Sequence, residues 1–482
     1  MEARGRTLRW LFVVLGATIL ARVVYWTAFG VRFDASPLAW YIQYIDPPLL
    51  QTRLVESLLY LRDQPPGFNL FLGVVLKLFP QHDAPVFAAV YLACGLLLAA
   101  ALFLLLVRTG LSHPASAVLA LAFSVHPATV LYENWLFYSY PVACLLCWGA
   151  LFLHRWIERF RLADGIVFGL LLAAVVLTRG TFHPAWLLAI VVALWVVFPE
   201  ARRQLLYVGL IPLLLVALVY AKNYVLFDKA VSGKFILSST LTSLTVDQLP
   251  ESERERLVRS GELSRVSQVR PRMVRLEDYE SILGPFEDTG IALLDLRFKA
   301  SGMPNYHHAG WDAVGALQYH DAMYVLRHYP RLYLRAVGPN VGRYFDAAAS
   351  YFSPPFSPPE YANSGRLAAL LNPLARLQTR AFHAVAFGAC VLFSGWVGGR
   401  WLLQRLFGHR AARQPIEDAF AATLLFCLFN VVYLGLVTVL LSDGEQNRYR
   451  FKVTPLYLVM FGALVATVRS FVAARGARRR AA

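Results

Sequence analysis

Apolar stretches close to or above the ~18 residues needed to cross a bilayer recur along this chain. They fall at 10–30, 85–107, 114–130, 135–153, 205–220, 381–397, 420–441 and 455–468. That recurrence predicts an all-α polytopic membrane protein. Composition agrees: 482 residues, 57% hydrophobic and only 16% charged, are too apolar for a soluble globule and too long for one small domain. The stretch 165–198 is broken at Thr178-Arg179-Gly180 and reads as two short spans or one re-entrant pair. Counting that pair gives about ten transmembrane helices.

The N-terminus has a basic start and an apolar core, as a signal peptide does, yet no small-residue cleavage site follows and Arg22 continues the span. An uncleaved first helix is expected. Cys94, Cys144, Cys147, Cys390 and Cys427 all lie in or near spans, so no disulfide framework is indicated, and the pair Cys144/Cys147 reads as packing.

The net charge of +16 is placed for a membrane rather than for nucleic acid. With ten spans, the basic clusters at Arg4/Arg6/Arg9, Arg108, Arg155/Arg159/Arg161, Arg202/Arg203, Arg405/Arg410/Arg413 and Arg475/Arg478/Arg479/Arg480 share one side. The positive-inside rule makes that side the cytoplasm, with both termini on it. Loops 31–83, 127–134, 178–183, 222–379 and 442–452 then face outward. The expected organisation is an N-terminal membrane module over 1–225 with a first outer loop at 31–83, an extracytoplasmic domain over 226–378, and a C-terminal membrane module over 379–482.

In the first outer loop, Leu50, Leu54, Leu58 and Leu61 form one helical stripe, the pattern of an interfacial amphipathic helix. Pro65 and Pro66 stop it and force a turn. In the long loop, 251–280 reads as exposed helix, and the His/Tyr/Trp-rich run 306–337 as helices against the membrane surface. Residues 351–361, rich in proline and aromatics, do not fit regular helix. No internal repeat, Walker loop, GxGxxG or zinc-spaced Cys/His set occurs, which argues against soluble nucleotide-dependent chemistry.

Five pieces of sequence occur in a consistent order and topology. They are Val31-Arg32-Phe33-Asp34 leading to Gln64-Pro65-Pro66-Gly67-Phe68-Asn69, His126-Pro127 with Tyr132-Glu133-Asn134, Leu177-Thr178-Arg179-Gly180, Ala221-Lys222-Asn223-Tyr224, and Glu445-Gln446-Asn447-Arg448-Tyr449-Arg450 with Pro455. Together they resemble the GT-C superfamily of integral-membrane glycosyltransferases, in particular the bacterial group related to protein O-mannosyltransferases and lipid A aminoarabinose transferases. Many relatives have a basic-acidic or His-containing approach to the two prolines, a place held here by Arg62-Asp63. The resemblance implies a polyprenyl-phosphate-linked sugar donor used on the outer side, with a glycan, lipid or protein acceptor, among membrane lipids in a bacterial inner membrane.

Inverting transfer needs a carboxylate to take the acceptor's proton and a cation to steady the leaving phosphate. Asp34 is the first candidate base, because its position resembles the family's first-loop acid; a solvated loop acid or a helix N-cap ahead of Pro37 is the plain alternative. Asp46 competes, against a turn-forming role before Pro47. Glu133 sits where the third span meets the outer surface, and is a candidate for orienting the acceptor or holding a divalent metal ion. The metal requirement is left open, since carboxylates alone do not separate base from ligand. Arg22, Asp63, Arg179, Lys222, Arg448 and Arg450 are the candidates for substrate and phosphate binding, with snorkelling or interfacial anchoring as the alternative for the cations. His307, His308 and His320 read as surface histidines. An oligosaccharide ligase or polymerase, or a lipid or glycan transporter, are the competing functions; a transporter would prefer midplane charges and repeats.

Overall fold

A computed structural model describes residues 2–228, 233–273, 275–348, 378–407 and 414–481, the last six as backbone alone. The expected irregular segment 351–361 and the basic residues Arg410 and Arg413 lie outside the described residues, as does the conformation of the Arg478, Arg479 and Arg480 side chains. Among the described residues the structure is helical and contains no strand, only isolated bridges.

Among the described residues seven helices are long and apolar enough to cross a membrane. We number the apolar helices α1 (Glu2–Ala28), α2 (Asp83–Arg108), α3 (His113–Ser124), α4 (Pro127–Glu133), α5 (Ser139–Arg159), α6 (Leu162–Thr178), α7 (Pro184–Val197), α8 (Arg202–Phe227), α9 (Arg380–Phe407), α10 (Pro415–Leu441) and α11 (Thr454–Ala481). Helices α3 and α4 together pass the same test but bend by 61°. The stretch broken at Thr178-Arg179-Gly180 becomes the shorter apolar helices α6 and α7. The protein is thus a polytopic helical membrane protein. One face of the bundle carries the long loops and the other the short ones.

The bend between α3 and α4 has a local cause. Proline at 127 disfavours helical backbone at the residue before it, and His126 is extended at φ −62°, ψ 133°. His126 Nδ1 then accepts from Ala128 N at 3.2 Å and starts the new helix. His183-Pro184 repeats the device at α7, where His183 Nδ1 accepts from Ala185 N. A break in an apolar segment frees carbonyls that lipid cannot satisfy. Helix α1 supplies the donors: Arg22 Nη1 to Ser124 O at 2.7 Å and Tyr25 OH to Val125 O at 3.0 Å.

The first loop forms short helices at Pro47–Thr52 and Leu54–Tyr60, so the amphipathic helix foreseen there is interrupted at Arg53. Leu50, Leu54 and Leu61 are buried while Val55 and Leu59 point outward, as the stripe requires. After Pro65-Pro66 the helix Gly67–Leu78 begins hard against the end of α6: a Cβ on Gly67 would lie 2.7 Å from Leu177 O. Pro65 also packs on Gly180. The corner that turns the first loop therefore braces the turn that carries Arg179.

Within the large loop, helices Gly310–His328 and Pro330–Tyr344 and shorter pieces close over two apolar clusters of their own. One is built on Phe235, Tyr279 and Trp311 and the other on Val246, Leu257 and Val325. Buried Asp321 pins them, accepting from Ser264 Oγ at 2.6 Å and Ser267 Oγ at 2.7 Å. The charged helix Glu251–Arg259 is largely exposed, with Leu257 as its inward anchor.

Candidate active site

Four loops of the loop-rich face meet on a pair of tyrosines, and the large loop reaches their edge through Tyr41. Tyr138 follows the end of α4, Tyr449 lies in the helix Gln446–Phe451, and both are buried. Three cations surround them. Arg179, at the turn after α6, stacks over Tyr138 with its guanidinium carbon 4.4 Å from the ring centre. It donates to Tyr449 OH at 3.0 Å and to Gln43 Oε1 in the first loop. Arg448 lies over Phe137 at 4.6 Å and Tyr449 at 4.8 Å, and donates to Tyr138 OH at 3.0 Å. Lys452 sits 4.1 Å above Tyr449 and 5.1 Å from Tyr138. From the first loop, Tyr41 OH pairs with Tyr138 OH at 2.9 Å, and from the large loop Lys299 Nζ donates to Tyr41 O at 2.7 Å.

Charge is poorly balanced at this node. Arg179, Arg448 and Lys452 are 6%, 1% and 0% exposed, and the carboxylate paired with them is that of Glu445, on Arg448. Arg179 Nε and Lys452 Nζ are buried without a hydrogen-bond partner among the described residues. Burying an uncompensated cation is costly, and aromatic faces return only part of that cost. Burial first, and then the guanidinium groups of Arg179 and Arg448, hold the Lys452 ammonium well below its ordinary pKa. The same two guanidinium groups outweigh burial at Tyr449 and pull its phenol down. The Tyr449 shift marks a site of positive potential, which an anion would relieve.

Asp34 reaches the edge of this node by its backbone. Its N–H donates to Asn134 O at 2.7 Å and its carbonyl accepts from Leu136 N at 2.9 Å, a parallel bridge that ties the first loop to the strip leading into Phe137 and Tyr138. Asp34 Oδ1 accepts from Ser36 N at 2.8 Å, whereas Oδ2 is buried with no hydrogen-bond partner among the described residues. Asp34 is buried, 8% exposed as a residue, and is not a solvated loop acid.

The other candidates are distributed differently. Arg22 and Glu133 meet each other: Arg22 Nε and Nη2 donate to the two Glu133 oxygens at 2.7 and 2.6 Å, and Tyr140 OH donates to Glu133 Oε2 at 2.8 Å. Gly95 makes the room, since a Cβ there would collide with the Glu133 carboxylate. Arg22, expected at the phosphate, and Glu133, expected to orient the acceptor or hold a divalent metal ion, are thus engaged by each other and by their neighbours, and both line a further cavity. Asp46 caps the helix Pro47–Thr52 at its carbonyl and accepts from Ala300 N at 3.1 Å, so it docks the large loop on the first. Asp63 lies beside Arg62 at 3.6 Å, and Arg62 pairs with Asp312 at 3.0 Å. Lys222 donates to Leu61 O at 2.6 Å, and Arg450 donates to Asp346 O at 2.6 Å. Neither reaches the tyrosine pair.

His320 is exposed, but His307 and His308 are buried, a correction to their reading as surface residues that follows from the large loop's packing on the first loop. Among the described residues no group of three or more His, Cys, Asp or Glu is placed to hold a metal ion. Sequence reasoning missed Lys452, Tyr138, Tyr449, Tyr41 and Gln43. Lys452 follows Arg448 by one helical turn, a spacing that places both on one side of a short helix and was the available signal.

A cavity of about 330 Å³ opens beside the 448–452 strip. Arg450, His126 and Gln378 line it with polar atoms, and Phe123, Phe387 and Leu458 with apolar ones.

No family model matches the chain, and no curated protein does. Among solved structures, the chain is similar to the archaeal oligosaccharyltransferase AglB from Archaeoglobus fulgidus in complex with an inhibitory peptide and a dolichol-phosphate, with a TM-score of 0.41 and 14% sequence identity. The match covers 99% of this chain and 52% of that one, so the chain spans about half the length of that structure.

Proposed function

We propose that this chain is a membrane glycosyltransferase of the GT-C class that takes a sugar from a polyprenyl-phosphate donor on the loop-rich face. The observation that carries the reading is the tyrosine node, where Arg179, Arg448 and Lys452 are buried together and Glu445 is the carboxylate paired with them among the described residues. A phosphate is the anion such a group suits: guanidinium forks match its oxygens, and the ammonium adds a compact point charge. The 330 Å³ cavity beside Arg450, lined by Phe123, Phe387 and Leu458 as well as by polar groups, suits the first units of an isoprenoid chain.

In the proposed single displacement, an acceptor oxygen attacks the anomeric carbon and the bond from that carbon to the phosphate oxygen breaks. Asp34 Oδ2 takes the acceptor's proton, and the phosphate leaves with its electron pair toward Arg179, Arg448 and Lys452. A buried carboxylate oxygen with no hydrogen bond to give up among the described residues is well placed to accept a proton. Asp46 serves instead to seat the large loop, and the Arg22–Glu133 pair holds α1 against the bent α3–α4 segment. The face bearing the node is assigned to the extracytoplasmic side of a bacterial inner membrane, both termini to the cytoplasm, and residues 226–378 to an extracytoplasmic domain between two membrane modules.

The test is transfer by purified protein from a panel of radiolabelled polyprenyl-phosphate sugars to membrane glycans, lipids and proteins. Asp34→Asn is expected to lower turnover by about 10²–10⁴-fold, the usual weight of a general base, with donor binding retained. Turnover surviving that change removes Asp34 as the base. Movement of a solute across the membrane, with no transfer from any lipid-linked sugar, defeats the transferase reading as a whole.

A further inference from the structure

Helix Pro330–Tyr344 of the large loop crosses the end of the spanning helix α10. Tyr333 OH donates to Leu440 O at 2.8 Å, and Asn340 Nδ2 donates to Val439 O and Ser442 O at 3.0 and 2.9 Å. The last carbonyls of a helix have no partner within it, so these bonds complete α10 and pin the crossing helix at the depth where the span ends. Its inward face is buried through Val337, Asn340 and Tyr344.

The opposite face is exposed. Leu334 and Val341, seven residues apart and so on one line of the helix, are 63% and 49% exposed. Each is the immediate neighbour of a residue bonded to the end of α10. Leu436, Leu440 and Leu441 of α10 are exposed at the same end, on a helix long and apolar enough to span, and lipid is what covers such side chains. The apolar line therefore continues a lipid-facing surface. Beside it Arg331 and Arg335 sit one turn apart, both exposed, as are Arg327, His328 and Arg343. Between Asp321 and Asp346 the chain carries no acidic residue. The two flanking acids are engaged elsewhere, Asp321 by Ser264 and Ser267 and Asp346 by Arg380. An apolar line with arginines alongside fits the boundary between acyl chains and headgroups, and the excess of cations favours anionic headgroups.

We propose that this face of helix Pro330–Tyr344 docks on the membrane leaflet and binds anionic phospholipid headgroups, with Arg331 and Arg335 on their phosphates and Leu334 and Val341 among the acyl chains. The inference goes beyond the transferase reading and does not depend on it. The docked helix runs into Asp346 and Ala347, whose carbonyls accept from Arg450 Nη2 at 2.6 Å and from Asn447 Nδ2 at 3.2 Å. Arg448 lies between those two residues in the helix Gln446–Phe451, so the membrane seat and the tyrosine node share one short stretch of chain.

The test labels the full chain carrying Leu334→Cys with a bimane fluorophore and reconstitutes it in vesicles of equal parts phosphatidylcholine and phosphatidylglycerol. One lipid or the other carries a nitroxide quencher near its headgroup. The unsubstituted chain, treated with the same reagent, gives the background from the native cysteines, and thermal melts establish folding. Both lipids are expected to quench, with phosphatidylglycerol enriched around the label by about 5-fold, the weight of one surface arginine. Arg331→Gln combined with Arg335→Gln is expected to bring that ratio to about one and to retain quenching by phosphatidylcholine. Arg202→Gln combined with Arg203→Gln, at the start of α8, is expected to leave the ratio unchanged. Absence of quenching by either lipid overturns the proposal, the result if another protein, a second copy or water covers the face. Equal quenching by the two lipids also overturns it, as does a ratio that survives loss of Arg331 and Arg335 or falls equally on loss of Arg202 and Arg203.

Discussion

The arginines that tie helix ends on the short-loop face and two cations of the tyrosine node, Arg179 and Lys452, live in opposite electrostatic circumstances. On the face with short loops, each well-placed arginine has a carboxylate: Arg108 with Glu158 at 2.7 Å, Arg155 with Asp164 at 2.9 Å, and Arg405 with Glu200 and with Asp418 at 3.7 Å. On the loop-rich face, the more deeply buried Arg179 and Lys452 have aromatic rings, a phenol and an amide. The first arrangement is complete as it stands and holds helix ends together. The second is incomplete, and an incomplete charge set in a low-dielectric place is a site for something else. The Arg22–Glu133 pair belongs with the first kind although it lies in the membrane-spanning part of the protein.

The sharpest break of this contrast is to make a complete pair incomplete. Glu133→Gln leaves the Arg22 guanidinium, 10% exposed at its side chain, without its counter-charge. A stability loss of about 3–5 kcal/mol is expected, read as earlier unfolding in detergent. Arg22→Met combined with Glu133→Leu removes both charges and is expected to recover much of the loss, because desolvation then disappears together with attraction. Gly95→Ala tests the same locus sterically: its Cβ meets the Glu133 carboxylate, and about 1–3 kcal/mol of destabilisation is expected.

Removing a node cation should do the reverse. Arg448→Met or Lys452→Met is expected to weaken binding of a lipid phosphate by about 10–100-fold, the weight of one charge-assisted contact. For Lys452→Met the ligand-free protein is expected to melt at the same temperature or higher, since an uncompensated buried ammonium is gone. The position of Lys452 adds a proton linkage. Its ammonium is depressed by burial and by Arg179 and Arg448, and a bound phosphate raises it again. Binding therefore takes up a proton at pH values between the two, and affinity falls as pH rises through that interval. Calorimetry in buffers of different ionisation enthalpy reads this uptake directly, and Lys452→Met abolishes it.

How much of this was legible in the sequence depends on the kind of interaction. The apolar runs announced the helices, and the prolines after His126 and His183 mark the breaks, because both effects act within a few neighbouring residues. Arg179 and Arg448 were legible as exposed-side cations near span ends. Their partners were not: Arg179 meets Gln43 and Tyr449 across 136 and 270 residues, and no local pattern encodes such distances. For the same reason Arg22 and Glu133 each looked like an isolated functional charge, when they lie 111 residues apart and satisfy one another. A charge inside a span signals that a partner exists and is silent on whether the partner is protein or ligand.

The segment 297–312, which docks the large loop on the first, lies between the two regimes, and pH separates its parts. Burial lowers Lys299 to about 8, with Asp46 working against that shift. The charged form is therefore disfavoured in the folded state, and stability rises as pH goes from about 8 toward the ordinary lysine value near 10.5. His307, held down to about 3, gives the complementary limb: below about 6.5 the unfolded chain gains a proton that the folded one refuses, so stability falls as pH drops toward 3. Melting curves of Lys299→Met and His307→Phe, compared with wild type across both windows, are expected to lose the alkaline and the acid slope respectively.

The smallest effect is the most specific to the contrast between faces. Arg108→Met removes a cation that sits 2.7 Å from its carboxylate, yet Arg108 and Glu158 are 29% and 22% exposed at their side chains. Water solvates what remains of such a pair, so its loss is expected to cost at most about 1 kcal/mol and to leave lipid-phosphate binding untouched. If Arg108→Met instead weakened binding as strongly as Lys452→Met, short distance to a charge rather than lack of one would be the operative property. The node would then have to be regarded as one more set of helix ties. An unchanged affinity isolates incompleteness under burial, rather than arginine content, as what distinguishes the two faces.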